Sequence, residues 1–149
     1  NCQNCCGKTH SLMGRQLKNK TIKRKQGDVF EQLAVDKLKQ AGYEIILTNF
    51  TAPFVGEIDI IARQALEQSH HLVQPRFCTV FVEVRSRTNS VYGTALESVT
   101  SKKQAKIYQT AERFLINYPK YVDDAYRFDV MVFDLVDGLV KHEWIKNAF

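Results

Sequence analysis

The sequence predicts an α/β domain, a small sheet flanked by helices, and three observations lead there. Hydrophobic residues fall at helical spacing over 28–42, then in β-rich runs over 43–84. The helical spacing returns over 96–118, and β-rich runs follow again over 127–145. In addition, 44% of the 149 residues are hydrophobic, enough apolar material for one core and too little chain for a second. The predicted order is α-β-β-β-α-β-β, without internal repeats; strand order is left open.

The domain starts at Gly27-Asp28. Asp28 suits a helix cap, and Phe30, Leu33, Ala34, Lys37, Leu38 and Ala41 follow at three and four residue intervals until Gly42 ends the helix. Glu31 sits on this helix a turn before Val35, along the edge of the apolar face. Residues 43–50 form a β-rich run, Pro53 and Gly56 break it, and residues 57–62 form a second strand. Residues 64–76 read as a long hairpin connection. Its adjacent histidines, His70 and His71, diverge in an extended loop and make poor partners for one ligand. A third strand covers 77–84.

The second helix, over 96–118, has Ala105, Ile107, Tyr108, Ala111, Phe114 and Leu115 as its buried stripe and Pro119 as its stop. Residues 127–135 form the next strand, and Asp137-Gly138 turns the chain into a last strand over 140–145.

Charge divides the chain in two. Residues 1–26 contain Lys8, Arg15, Lys18, Lys20, Lys23, Arg24 and Lys25 with no acid, whereas the remainder holds 14 bases against 16 acids. A basic, unstructured tail over 1–26 ahead of a nearly neutral domain over 27–149 suits a polyanionic partner, because such contacts release counterions from phosphate. The same composition also suits a solvated extension. Cys2, Cys5 and Cys6 lie near His10, but no second ligand pair stands at zinc-site spacing, so the cluster reads as reduced thiols rather than a zinc site. Cys78 reads as a small core hydrophobe. No membrane span or secretory signal is evident, which makes a cytoplasmic location the expectation.

Two strands carry charge where β-propensity alone would not place it. Strand alternation puts Ile58 and Ile60 on one face of the second strand and Glu57 and Asp59 on the other. In the third strand Val82 and Val84 point one way, and Phe81, Glu83, Arg85 and Arg87 the other. If these strands pair as a hairpin, Asp59 and Glu83 converge across a strand spacing of about 4.8 Å. Two adjacent carboxylates repel unless a cation intervenes, and Mg²⁺ is commonly held by one or two carboxylates, waters and substrate phosphate. The alternative is that both acids are ordinary half-solvated residues paired with Arg63, Arg85 or Arg87.

Taken together, Gly27, Glu31 and Ala34, then Gly42-Tyr43, Asn49, Gly56-Glu57-Ile58-Asp59-Ile60-Ile61-Ala62 and Phe81-Val82-Glu83-Val84-Arg85 resemble the YraN-like family of bacterial proteins. Gly93, Ser98-Val99, Lys103, Arg127-Phe128-Asp129-Val130 and Trp144-Ile145-Lys146-Asn147-Ala148-Phe149 extend the resemblance to the end of the chain. That family is placed in the PD-(D/E)XK, restriction-endonuclease-like nuclease superfamily. The resemblance implies a single restriction-endonuclease-like domain whose central mixed β-sheet is flanked by helices. It also implies a Mg²⁺- or Mn²⁺-dependent endonuclease acting on DNA, with branched or structured DNA among its candidate substrates.

It carries the metal acids onto Asp59 and Glu83 and the helical acid onto Glu31. The superfamily's usual lysine is replaced by Arg85, whose guanidinium stabilises phosphate charge but makes a poor general base. Lys103 is the candidate amine arriving from elsewhere; its other reading is membership of a basic helix face with Lys102 and Lys106. Arg87, Lys102 and Lys106 are the candidate phosphate contacts. Arg127 and Asp129 are read as ties between the later strands and their neighbours. The rival function is a non-catalytic nucleic-acid-binding module that keeps the nuclease fold. The oligomeric state is left open, a homodimer included.

Overall fold

The computed structural model describes residues 9–67, 76–87 and 99–149, with side chains described from residue 25 onward except that of Arg87. Helix α1 runs Thr9–Gln40, then β1 Glu44–Ala52, β2 Gly56–Ala65, β3 Phe77–Arg87, α2 Ser101–Asn117, β4 Ala125–Val136 and β5 Leu139–Ile145. A 3-10 turn, Pro119–Tyr121, follows α2. The order is the predicted α-β-β-β-α-β-β. Among the described residues no helix is long and apolar enough to cross a membrane.

The strands form one mixed sheet in the order β1-β2-β3-β4-β5. Among the described strands only β3 and β4 are parallel. Parallel neighbours need a crossover, and α2 supplies it. The two helices cover opposite faces, so the sheet has a core on each side. Phe30, Ala34 and Leu38 of α1 pack on Ile60, Ala62, Val80, Val82, Met131 and Phe133. Ile107, Ala111 and Phe114 of α2 pack on Ile58, Ile61, Phe81, Val130 and Val132.

Local chemistry explains the element ends. Gly42 at φ +83° ends α1, while Tyr43 N–H returns to the Leu38 carbonyl and Gly42 N–H to that of Lys39, each at 3.0 Å. This is the Schellman pattern, with Tyr43 and Leu38 in the same apolar cluster. Thr100 caps α2 through its hydroxyl oxygen, which accepts the Lys103 N–H at 3.3 Å. Asp137 and Gly138 both take positive φ, as a two-residue hairpin turn of the primed kind requires.

Four expectations change. First, α1 begins at Thr9, so Asp28 lies exposed within the helix and does not cap it, and residues 9–26 are helical where an unstructured arm was expected. That segment contains Leu, Met, Arg, Gln and Lys, which favour helix by intrinsic propensity without any hydrophobic period. Second, α2 starts at Ser101, later than residue 96. Third, Ala105 and Tyr108 of the expected stripe are exposed, while Thr110 is fully buried. The α2 face against the sheet is narrower than the apolar residues suggest. Fourth, Ile58 and Ile60 occupy opposite cores, for a reason that belongs to the site. Cys2, Cys5, Cys6, His70, His71, Gly93, Ser98 and the side chain of His10 lie outside the described residues.

Candidate functional site

The antiparallel ladder between β2 and β3 runs from Ala65 and Phe77 to Ile60 and Val82 and stops there. The next rung would set Asp59 against Glu83. Instead, Asp59 Oδ2 accepts the Val84 backbone N–H at 2.7 Å, so a side chain takes the place of a strand partner. Strand β2 continues in register with β1, Phe50 opposite Ile58, and leaves β3. This break interrupts the alternation: Ile58 joins Ile61 on the α2 side, and Ile60 stays on the α1 side.

Glu83 lies at the same break and is 5% exposed. Its Oε1 receives two cations, Arg85 Nη2 at 3.1 Å and Lys103 Nζ at 3.2 Å. Its Oε2 is buried with no hydrogen-bond partner, as is Arg85 Nε. Lys103 reaches β3 because the Thr100 cap starts α2 beside it. Lys102 and Lys106 are exposed on the same helix and do not enter the acid cluster. Arg87 ends β3 in register with Asp134; its side chain lies outside the described residues. Arg63 does not pair with either acid. It forks onto Asp124 with two bonds of 2.8 Å.

Burial, followed by the charge of Glu83, pushes Asp59 from 3.8 to about 6, with the Val84 N–H and Lys103 opposing. Burial likewise raises Glu83, against the pull of Lys103 and Arg85. Glu31, reaching in from α1, is raised by burial and by Asp59 and lowered by a hydrogen bond from Asn49. The charge of the exposed Glu57 raises all three. Electrostatically, then, Glu31, Asp59 and Glu83 form one acidic group with Lys103 and Arg85 at its Glu83 end. A cavity of about 170 Å³ opens beside it, lined by Gly27, Phe30, Glu31, Val84, Arg85 and Ser86.

The role of Asn49 was not legible in the sequence. It takes φ +53°, which Asn tolerates better than most residues, and its side chain bonds Glu31. No spacing rule connects positions 31 and 49; only the fold does.

The donor set suits a hard cation. Asp59 and Glu83 could offer oxygen ligands, Glu83 Oε2 has no hydrogen-bond partner, and a positive charge would relieve two carboxylates held above their ordinary values. Among the described residues no group of three or more His, Cys, Asp or Glu side chains is placed to hold a metal ion, so any cation here would rest on the Asp59–Glu83 pair.

The second buried acid network is different in kind. Asp129, fully buried, accepts Arg127 Nε and Nη2 at 2.8 and 3.1 Å, Trp144 Nε1 at 2.9 Å and Asn147 N–H at 2.9 Å. Arg127 also donates to the Tyr43 hydroxyl at 2.8 Å. This network ties β4 to β5, the carboxyl-terminal segment and the end of α1.

Comparison with known proteins matches residues 30–133 to the model of the uncharacterised protein family UPF0102. A UPF0102 protein of Psychrobacter sp. (strain PRwf-1) is 39% identical over 133 residues, 85% of this chain and 89% of the relative. One from Acinetobacter baumannii (strain AYE) is 36% identical over 140 residues, covering 86% and 96%. One from Psychrobacter arcticus is 41% identical over 112 residues, covering 75% and 61%. With more than half its length matched by the family model and near full-length relatives above 30% identity, the chain belongs to the UPF0102, or YraN-like, family.

Proposed function

We propose that this chain is a divalent-metal-dependent endonuclease that hydrolyses DNA phosphodiester bonds. One observation carries the reading: where β2 parts from β3, Asp59 and Glu83 meet with raised proton affinity, and a buried Glu83 oxygen lacks any partner. Asp59 and Glu83 would hold Mg²⁺ or Mn²⁺. When bound, such an ion acidifies water and offsets charge on phosphate oxygens. Asp59 is oriented by the Val84 N–H, which fixes one oxygen and leaves the other. Lys103 and Arg85 present an ammonium and a guanidinium to the charge that develops on the phosphate. Glu31, held by Asn49, would accept a hydrogen bond from water at the edge of the cluster.

Purified protein incubated with Mg²⁺ and Mn²⁺ on linear, nicked, flapped and four-way DNA tests the reading. Cleavage of at least one substrate that Asp59→Ala abolishes is the expected result; no such cleavage refutes it.

A second reading, a non-catalytic nucleic-acid-binding module, draws on one feature of the same site. Lys103 and Arg85 already flank Glu83, so the cluster carries part of its own neutralisation. That reading expects salt-sensitive DNA binding with no thermal response to Mn²⁺.

A further inference from the structure

Lys103, Lys106, Thr110, Arg113 and Asn117 follow each other at intervals of three and four, which sets them along one face of α2. The surroundings of each residue show where that face lies. Lys103 reaches Glu83 in the acidic cluster. Lys106 and Thr110 lie against Gly56, so close that a Cβ there would come 2.9 Å from Thr110 Oγ1. Arg113 and Asn117 close a cleft of about 270 Å³ with Thr51, Ala52 and Pro53. The face therefore follows the β1–β2 hairpin from the acids to its tip. At about 1.5 Å per helical residue the path is roughly 21 Å long, the rise of about six nucleotides of one strand.

The tip is unusual in two independent ways. Val55 N–H bonds the Ala52 carbonyl at 3.1 Å, closing a β-turn with Pro53 and Phe54 at its centre. Phe54 takes φ +63°, the conformation that the residue after proline in a type II turn normally leaves to Gly or Asn. Its ring is also fully exposed. Among the described residues nothing covers the ring. An aromatic ring presented at the end of a basic groove suits the face of a base, which an unpaired strand offers along its length and a duplex only at its ends.

We infer that the α2 face and the Phe54 turn form a track for an unpaired nucleic-acid strand. Lys106 and Arg113 hold its phosphates, Phe54 stacks on a base, and Asn117 and Thr51 offer hydrogen bonds in the adjoining cleft. The track deepens the nuclease reading by naming an unpaired strand as the substrate element that enters the acidic cluster, and it rests on that reading only for this direction.

The test measures binding in EDTA, where cleavage plays no part. Fluorescence anisotropy compares a labelled single-stranded dodecamer with the same sequence as a duplex at fixed salt. Phe54→Ala should weaken single-strand binding about tenfold, leave duplex binding within about twofold, and be rescued by Phe54→Trp. Phe54→Gly suits the turn and keeps the fold, so it should bind as weakly as Phe54→Ala. Lys106→Ala with Arg113→Ala should weaken binding and flatten its salt dependence. Single-strand affinity indifferent to Phe54, or equal losses for single strand and duplex, would overturn the track. A chain that binds this way yet cuts nothing with Mg²⁺ loses the nuclease reading and keeps the track. One that cuts and ignores Phe54 loses the track alone.

Discussion

Asp59→Asn should make the metal-free protein more stable, and by an amount that depends on pH. The amide is nearly isosteric and its oxygen can still accept the Val84 N–H, so the main change is loss of a charge the site disfavours. In the folded chain Asp59 is raised from 3.8 to about 6, chiefly by burial and then by Glu83. The unfolded chain therefore releases this proton first. Stability falls as pH rises from about 4 to about 6 and stays reduced above that window. The ionised carboxylate costs the fold about 3 kcal/mol at pH 8 and about 0.5 kcal/mol at pH 4. Thermal melts in EDTA should thus place Asp59→Asn about 6 to 10 °C above the parent protein at pH 8 and within about 2 °C of it at pH 4. Mn²⁺ should raise the parent's melting temperature and leave the variant's unchanged. A variant that is less stable at pH 8, or shifted equally at both pH values, refutes the account of Asp59 as a strained ligand.

Other perturbations give sharp outcomes. Gly56→Ala drives a methyl against Thr110 Oγ1 at 2.9 Å and should cost about 1–3 kcal/mol in urea unfolding; adding Thr110→Ala should recover part of the loss. Glu83→Gln should abolish the Mn²⁺-dependent thermal shift and, on the nuclease reading, DNA cleavage. Lys103→Met should reduce cleavage at least a hundredfold while leaving Mn²⁺ binding measurable by calorimetry, because it removes a cation and no metal ligand. Asp129→Ala removes the carboxylate that a partly buried guanidinium, an indole N–H and the Asn147 N–H share and should cost about 2–4 kcal/mol, seen as loss of cooperative unfolding or of soluble protein.

How much of this was legible in the sequence depends on the range of the interaction concerned. The Asp137-Gly138 turn, the Gly42 helix stop and the order of the strands are set by neighbours along the chain, and they appear as read. Asp59 and Glu83 stood out because a charge inside an apolar strand is anomalous wherever the strand packs. Their meeting place was not legible. Alternation placed Ile58 and Ile60 together, but the Asp59 side chain takes the Val84 N–H and ends the β2–β3 ladder, a bond between residues 25 positions apart. Lys103 had two equal readings because its reach depends on where the Thr100 cap starts α2. Asn49 and Phe54 owe their interest to positive φ, a backbone property that no residue pattern announces for Phe.

The case that Asp59 and Glu83 serve a ligand rather than the fold rests on how the same chain treats its other inward acids. Asp129 is fully buried, and four donors surround it. Burial would raise Asp124, but the bonds from Arg63 and Thr79 outweigh it and hold the group below its ordinary value. This sequence can therefore stabilise a carboxylate inside the domain when the structure calls for one. At the β2–β3 break it does otherwise. Among the described residues Asp59 receives one backbone N–H, both cations go to a single oxygen of Glu83, and the other oxygen has no hydrogen-bond partner. A purely structural ion pair would spread its donors over both oxygens, because an unpartnered buried acceptor costs about 1–3 kcal/mol. Adding a donor to Glu83 Oε2 would stabilise the metal-free fold and occupy the coordination position that a divalent cation needs. On the proposed nuclease reading, stability and metal binding place opposite demands on that atom.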